Sequence, residues 1–212
     1  MTTRIADIEI PDSKLITEAT ELVRDLTNDL IYNHSRRVFL FGSLQGKALG
    51  LTHNPELLYV GAMFHDLGLT SSRRDSMQRF ELDGADAAKN FLREHGVGEP
   101  EAELVWTSIA LHTTPEVPYH MAPEIALVTA GVETDVLGIA LDRIPAEARA
   151  EVVAAHPRPD FKNRILRAFT EGFEHRPDST FGTVNADVLE HFVPGFRHID
   201  FVDVIRDSAW PE

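Results

Sequence analysis

Four residues in this sequence have the types and positions that suit the binding of a metal ion. His34 comes first, His65 and Asp66 follow as neighbours, and Asp135 lies further along the chain. A charged Asp66 at the end of an apolar segment is costly to bury unless it is paired or bound to a cation, and Asp135 in a second apolar segment has the same problem. We predict that all four residues hold one divalent metal ion.

Each of these residues taken singly has a simpler explanation. One histidine at a helix end is more often a cap or a hydrogen-bonded core residue, and Asp66 alone is compatible with an ion pair. Their joint occurrence favours a metal site. Two imidazoles and two carboxylates suit zinc first, with iron or manganese as alternatives, and they leave positions open for water if the ion is five- or six-coordinate.

The segments that carry the candidate ligands predict helices. Asn54-Pro55-Glu56 supplies a cap, a first-turn proline and an acid before an apolar stretch that contains His65 and ends near Gly68. Asp135 lies in a helical pattern over 123–140 that begins at a proline. The apolar run at 38–41 is too short for periodicity to assign, and its helical neighbours favour a helix.

The remaining pattern is also helical. Near the N-terminus, apolar residues recur at steps of three and four, which predicts an amphipathic helix; they are Leu15, Ala19, Leu22, Leu26 and Leu30. Asp12 or Ser13 is predicted to cap the start of this helix. Further helices are predicted over 81–95, 100–112, 145–155, 160–174 and 185–192. We therefore expect an all-α helical bundle that forms a single domain over 1–212, with a core at about 13–175 and a C-terminal tail over 176–212.

Composition narrows the class of function. The chain has 212 residues, 43% of them hydrophobic, which suits one domain with a sizeable core. With 20 Lys plus Arg against 34 Asp plus Glu, its net charge of −14 argues against nucleic acid or a membrane as partner and favours a small-molecule substrate. Zero cysteines leave only nitrogen and oxygen ligands. No signal peptide or membrane span is visible, so a cytoplasmic protein is expected, and a homo-oligomer is compatible with this sequence.

With these motifs the sequence resembles the HD-domain metalloproteins. The pattern of that family is a His, a distant His-Asp doublet and a later Asp on separate helices, and His34, His65, Asp66 and Asp135 fill all four positions. The resemblance implies an HD-type helical bundle and a metal-dependent enzyme.

Four further segments are similar to the cyanamide hydratase branch of that family. They are Asn33–Val38, Arg79–Ala85, Trp106–Thr113 and Pro157–Lys162. This similarity runs from roughly residue 25 to residue 185 and implies a hydratase that adds metal-activated water to a small nitrile-like carbon, as in the conversion of cyanamide to urea.

Departures from other branches bear on the alternatives. HD proteins with two metals have an additional His on the helix after the doublet, where this sequence has Phe80, so a mononuclear site is implied. The mononuclear nucleotidase branch has an acidic residue shortly after His-Asp, which is missing here. Hydrolysis of nucleotides or small phosphate esters is the second hypothesis, for which Arg36, Arg37, Arg73 and Arg74 are available. The third is a non-catalytic protein whose metal only stabilises the helices.

The resemblance to a hydratase also suggests further site residues. His112 or Glu81 is predicted to relay a proton, although each also fits the charge preference of a helix end. The predicted substrate-binding residues are Asn33, Ser35, Phe64, Phe80, Trp106 and His120. Local capping by the first two, and packing in the core by the aromatic residues, are the simpler alternatives.

Overall fold

The structure, a computed structural model, describes residues 3–210 and confirms the predicted all-α class. Its helices are α1 (Lys14–Leu26), α2 (Asp29–Leu49), α3 (Pro55–Phe64), α4 (Phe80–Glu94), α5 (Glu99–Ala110), α6 (Pro123–Leu137), α7 (Ala146–Ala155), α8 (Phe161–Phe173), α9 (Asn185–Phe192) and α10 (Phe201–Arg206). A two-stranded antiparallel hairpin, β1 (Arg4–Ile5) and β2 (Ile8–Glu9), precedes them. Within the described residues, no helix is both long and apolar enough to cross a membrane.

The helix is interrupted between α1 and α2, where the sequence pattern predicts one continuous helix. Ser13 caps α1 as expected, but α1 ends at Leu26. The Asn28 side chain then accepts a hydrogen bond from the backbone N–H of Ile31, 3.1 Å away, and starts α2. Leu30 therefore belongs to the second helix, because a side-chain cap can begin a helix without interrupting the apolar period. The apolar run at 38–41 is helical, as predicted.

Local capping also fixes α3, the helix that leads to His65. The Asn54 side chain accepts from the backbone N–H groups of Glu56 and Leu57, and Pro55 occupies the first turn. Every residue from Leu57 to Phe64 is buried. The helix ends at Phe64 and not near Gly68, and a 3₁₀ turn at Leu67–Leu69 follows.

Helices α2, α3 and α6 form the centre of the bundle. Helix α2 is buried from His34 to Gly46 and packs against both α3 and α6, while α4 and α5 cover the other side of α3. This arrangement brings the start of α2, the end of α3 and the end of α6 to one place. The candidate ligands on these helices therefore meet in the interior.

Two glycines allow α2 and α6 to approach at backbone distance. A Cβ atom at Gly131 would lie 2.2 Å from the Val38 carbonyl oxygen, and one at Gly42 would lie 2.5 Å from the Leu127 carbonyl oxygen. No larger residue fits without separating the helices. Gly131 lies about one turn before Asp135, so the same close contact sets the distance between Asp135 and His34.

The C-terminal helices close the bundle. Phe161 and Ile165 of α8 pack against the first turn of α2, and Leu189 of α9 packs against Phe80 and Phe173. Helix α9, which the sequence analysis assigns to the C-terminal tail, thus contributes a buried side chain to the core.

Arg176 fastens the segment between α8 and α9 to the body of the protein. Its guanidinium group is fully buried, donates to the carbonyl oxygens of Gly68 and Gln78 at 2.7 and 2.8 Å, and pairs with Asp83. Charge-assisted hydrogen bonds of this kind are stronger than neutral ones. The chain after α8 is therefore held next to the turn that follows the His-Asp doublet.

The close contact of α2 with α6 gives a first prediction. Replacing Gly131 with Ala should lower the free energy of unfolding by about 1–3 kcal/mol, because the new methyl group meets a backbone carbonyl that cannot move independently. Urea denaturation measures the change. Gly46→Ala is the matched control on α2: its Cβ would meet no backbone atom, only the flexible Leu127 side chain at 2.9 Å and the His53 ring at an ordinary 3.5 Å. A helix-propensity gain of up to about 1 kcal/mol offsets these contacts. Equal losses in the two variants would contradict the account.

Candidate metal centre

Two consecutive residues and one distant histidine form a buried cluster at the end of α3. His34 from the first part of α2 meets His65 and Asp66, which directly follow α3, and one ligand atom from each lies within 4.8 Å of the others. All three residues are at most 1% exposed. The structure therefore brings together three of the four predicted ligands as a group that could hold a metal ion.

Hydrogen bonds fix which nitrogen each histidine presents to the cluster. Nδ1 of His34 donates to Oδ2 of Asp135 at 2.7 Å, and Nδ1 of His65 donates to the Ala62 carbonyl oxygen at 2.8 Å. Nδ1 of His112, just beyond α5, donates in the same way to the Ile109 carbonyl oxygen at 2.6 Å. Each acceptor requires a proton on Nδ1, so in the neutral imidazole of each residue Nε2 carries the lone pair.

These lone pairs converge on Asp66. Its carboxylate lies 3.3 Å from Nε2 of His65, 3.6 Å from Nε2 of His34 and 3.7 Å from Nε2 of His112. Both carboxylate oxygens are buried, and neither accepts a hydrogen bond within residues 3–210. Burying a carboxylate without a donor is expensive, and a carboxylate facing nitrogen lone pairs is repelled by them. A divalent cation between these atoms removes both costs.

The protonation equilibria agree with this arrangement. Burial lowers the pKa of His34 in spite of its hydrogen bond to Asp135. Burial and the neighbouring His65 lower the pKa of His112 to about 4. Burial raises the pKa of Asp66, but the surrounding imidazoles outweigh it and the pKa lies below its ordinary value. Burial lowers the pKa of His65, but the charge of Asp66 outweighs it and the pKa lies above its ordinary value. At neutral pH the site therefore offers neutral His34 and His112 and a charged Asp66, while a metal that binds His65 competes with a proton there.

Asp135 lies on the opposite side of the His34 ring from this cluster. Besides the hydrogen bond from His34, its carboxylate accepts from Nε and Nη2 of Arg37, each at 2.9 Å, and from Nε of Arg158 at 3.0 Å. The sequence predicts Asp135 as a fourth ligand. In the structure its oxygens are occupied by these donors, and what its contacts do is hold the His34 ring in one tautomer and orientation. Direct ligation by Asp135 stays a prediction.

The two residues predicted to relay protons lie in different surroundings. His112 is 3% exposed and lines the same cavity as His34, His65 and Asp66. Glu81 is fully buried and does not line this cavity. It accepts hydrogen bonds from Thr113 at 2.6 Å, Asn185 at 3.0 Å and Arg79 at 3.1 Å. The structure thus brings His112 to the cluster and leaves Glu81 behind the cavity wall.

Phe80 lies next to the cavity without lining it. Its ring packs edge-on against His112, with 5.5 Å between ring centroids, and it also contacts Phe169 and Phe173. The ring therefore supports the position of His112 from behind. As the sequence implies, it supplies no metal-binding atom.

The other residues predicted to bind substrate do not line the cavity: they are Asn33, Ser35, Phe64, Trp106 and His120. Phe64 packs in the core against Phe91, and the indole N–H of Trp106 donates to Asp86 at 2.8 Å. His120 has a side chain that is 76% exposed near Glu116.

Asn33 and Ser35 flank His34 but face away from the cluster. The Asn33 side-chain oxygen contacts Nδ1 of His156 at 3.3 Å, and Ser35 is fully buried. Successive helical positions point in different directions, so both neighbours of His34 are rotated away from the site.

The cavity beside the cluster has a volume of about 190 Å³. Its polar lining comes from His34, His65, Asp66, His112, Thr113, Glu133 and Asn185. Most of the remaining lining is aliphatic or aromatic, from Val132, Val136, Leu137, Phe169, Val184 and Val188. Within the described chain, no lysine or arginine lines this space.

Sequence reasoning missed several of these residues. Arg37 lies three positions after His34, on the same face of a buried helix, which is a detectable signal. Thr113 and Asn185 carry no local signal, because their importance comes from contacts with the distant Glu81. The valines of the wall have the same types as core residues, and sequence alone does not separate the two.

The hydrogen bonds that the Asp135 carboxylate accepts from His34 and Arg37 give a second prediction. Arg37→Met should lower the free energy of unfolding by about 3–5 kcal/mol, because it removes one partner of a buried ion pair. It should also weaken metal binding by about 10–100-fold, since His34 is held less firmly. Chemical denaturation and metal titration measure the two effects. In the control Arg93→Met, the lost pair with Glu99 is exposed, and each effect should be much smaller. Unchanged metal affinity in folded Arg37→Met would contradict this role.

Comparison with known families adds an independent observation. The family model described as HD domain matches residues 31–161. The match includes the cluster, His112, Asp135 and Arg158, and it ends before α9 and most of α8. No curated protein matches the chain at a significant level.

Proposed function

The chain belongs to the HD domain family, and on that premise we propose that it is a metal-dependent hydratase of a small, uncharged, nitrile-like molecule. Family membership supports metal-dependent chemistry of the hydrolase type at a coarser level. The narrower proposal rests on one observation. The cavity beside the cluster is small, has mostly apolar walls and has no basic residue in its lining.

The absence of basic side chains from the described lining argues against phosphate esters. Phosphate recognition in proteins uses arginine or lysine donors, or the start of a helix. Here Arg37 is engaged by Asp135, and Arg36 donates to Tyr59. Arg73 and Arg74 lie at a 3₁₀ turn and do not line the cavity. None of these four arginines is therefore placed to bind a phosphate group in the cavity.

The size of the cavity also favours a small molecule over a nucleotide. Pockets that bury drug-sized ligands have volumes of about 300–1,000 Å³, whereas this one has about 190 Å³. The acidic Glu133 in the lining further disfavours an anion. A compact neutral molecule suits both the volume and the charge.

The donor set fits a single divalent ion, zinc first, with iron or manganese as alternatives. His34, His65 and Asp66 would hold it, and Asp135 would keep Nδ1 of His34 protonated. When bound, such an ion lowers the pKa of a water ligand from 15.7 to about 7 and polarises a substrate nitrogen.

His112 has the geometry to move the proton that hydration requires. Adding water to a carbon–nitrogen triple bond places oxygen on carbon and needs a proton on the developing nitrogen anion. Nε2 of His112 carries a lone pair and lies beside Asp66, so it can accept a proton from water and return it to the nitrogen.

Substitution of Asp66 tests the proposal. Asp66→Asn keeps the shape but removes the charge, so bound metal should fall from about one ion per chain to almost none. Urea release from cyanamide should fall by more than about 100-fold, beyond the 10–100-fold typical of losing a group that only orients a ligand. Elemental analysis and a urea assay measure both quantities.

Asp142→Asn is the matched control, because Asp142 lies on an exposed 3₁₀ turn away from the cavity. This variant should retain both metal and activity. Release of phosphate from nucleoside monophosphates by wild type, without hydration of cyanamide or any small nitrile, would reject the hydratase and favour the phosphohydrolase.

A further inference from the structure

The wall of the cavity is more apolar than the hydration of cyanamide requires. Cyanamide contains only two nitrogens and one carbon, all of them polar, and offers no apolar surface to cover. The wall nevertheless presents six apolar side chains: Val132, Val136, Leu137, Phe169, Val184 and Val188. Leu137 and Val184 are 66% and 47% exposed, so this surface is open to a ligand.

The volume indicates the size of the group that would cover this wall. An engineered apolar cavity of about 150 Å³ stays dry and binds benzene. The present cavity, at about 190 Å³, has room for a reactive head group next to the cluster and for an apolar group of about four to six carbons.

The polar lining restricts the charge of the ligand. Thr113 and Asn185 both donate to the buried Glu81, and the Asn185 side-chain oxygen accepts no hydrogen bond from residues 3–210. That oxygen is therefore available to an N–H group of a ligand. Asp66 and Glu133 are the charged groups of the described lining, and both repel anions.

Half of the apolar wall comes from beyond the part of the chain that matches the family. Phe169 of α8, Val184 directly before α9, and Val188 of α9 all follow residue 161, where the match ends. Arg176 and the hydrogen bond from Asn185 to Glu81 hold this segment in place. The reactive cluster thus lies within the family match, whereas much of the wall that contacts the rest of a ligand lies outside it.

We propose that the substrate is a neutral nitrile-like molecule with an apolar substituent of about four to six carbons, and that the wall formed by α6, α8 and α9 selects it. This inference rests on the proposed function for its reactive group. Each methylene that enters the wall should improve binding about fourfold, as expected for burial of apolar surface.

Turnover of a homologous series tests the selection. With wild type, kcat/KM should rise at least about tenfold from ethanenitrile to pentanenitrile and should exceed the value for cyanamide. Val188→Phe fills the wall and should abolish the rise. Leu137→Ser, at the exposed rim, should weaken the rise in kcat/KM. Because Leu137 is exposed, this second variant tests the wall even if Val188→Phe fails to fold. Val204→Phe, on the exposed face of α10 and outside the cavity, should leave the ratio unchanged.

Binding of the product amides separates this inference from the proposed reaction. Ligand-observed NMR should detect pentanamide more strongly than ethanamide with wild type, and equally weakly with Val188→Phe. If the longer amide binds in this way but no nitrile is hydrated, the proposed function fails and the ligand class stands. If cyanamide is hydrated while longer chains neither bind nor react better, the inference is overturned and the proposed function stands.

Discussion

Asp66 places both carboxylate oxygens in the protein interior, and its nearest polar neighbours are imidazole nitrogens that carry lone pairs. No hydrogen-bond donor from the described chain reaches it. The free-energy cost of this arrangement is one that folded proteins normally avoid. The rest of the centre follows from it, because each surrounding histidine is bonded through Nδ1 so that Nε2 faces the carboxylate. A cation at their meeting point makes the arrangement favourable, and it couples metal binding to folding.

Asp135 connects this centre to the bundle. Asp135 lies on α6, and its carboxylate accepts hydrogen bonds from His34 and Arg37 of α2. It also accepts one from Arg158, which lies between α7 and α8. The close contact at Gly131, one turn earlier, keeps α6 at the distance that these bonds need. The orientation of a metal ligand and the packing of the core are therefore set by the same helix pair.

Some of this organisation is visible in the sequence, and the reasons are local. The cap at Asn54 and the apolar run after it predict α3, and the buried carboxylate in the His-Asp doublet predicts a metal. The sequence predicts a continuous helix across Asn28, because Leu30 keeps the apolar period of α1, whereas in the structure Asn28 caps a new helix. The sequence does not reveal that Glu81 accepts hydrogen bonds from Thr113 and Asn185, because both residues are distant from it in the chain. The sequence suggests His120 from its place in the loop between two site-bearing helices, and Trp106 from its aromatic ring. The side-chain directions that take both away from the cavity depend on packing.

X-ray absorption spectroscopy of the metal-loaded protein tests the central claim most directly. We expect about one ion per chain, with nitrogen and oxygen ligands at about 2.0–2.2 Å for zinc. The multiple-scattering pattern should correspond to at least two imidazoles, from His34 and His65. A spectrum without imidazole scattering, or one that is unchanged when His65 is replaced by Ala, would contradict the placement of the metal at this cluster.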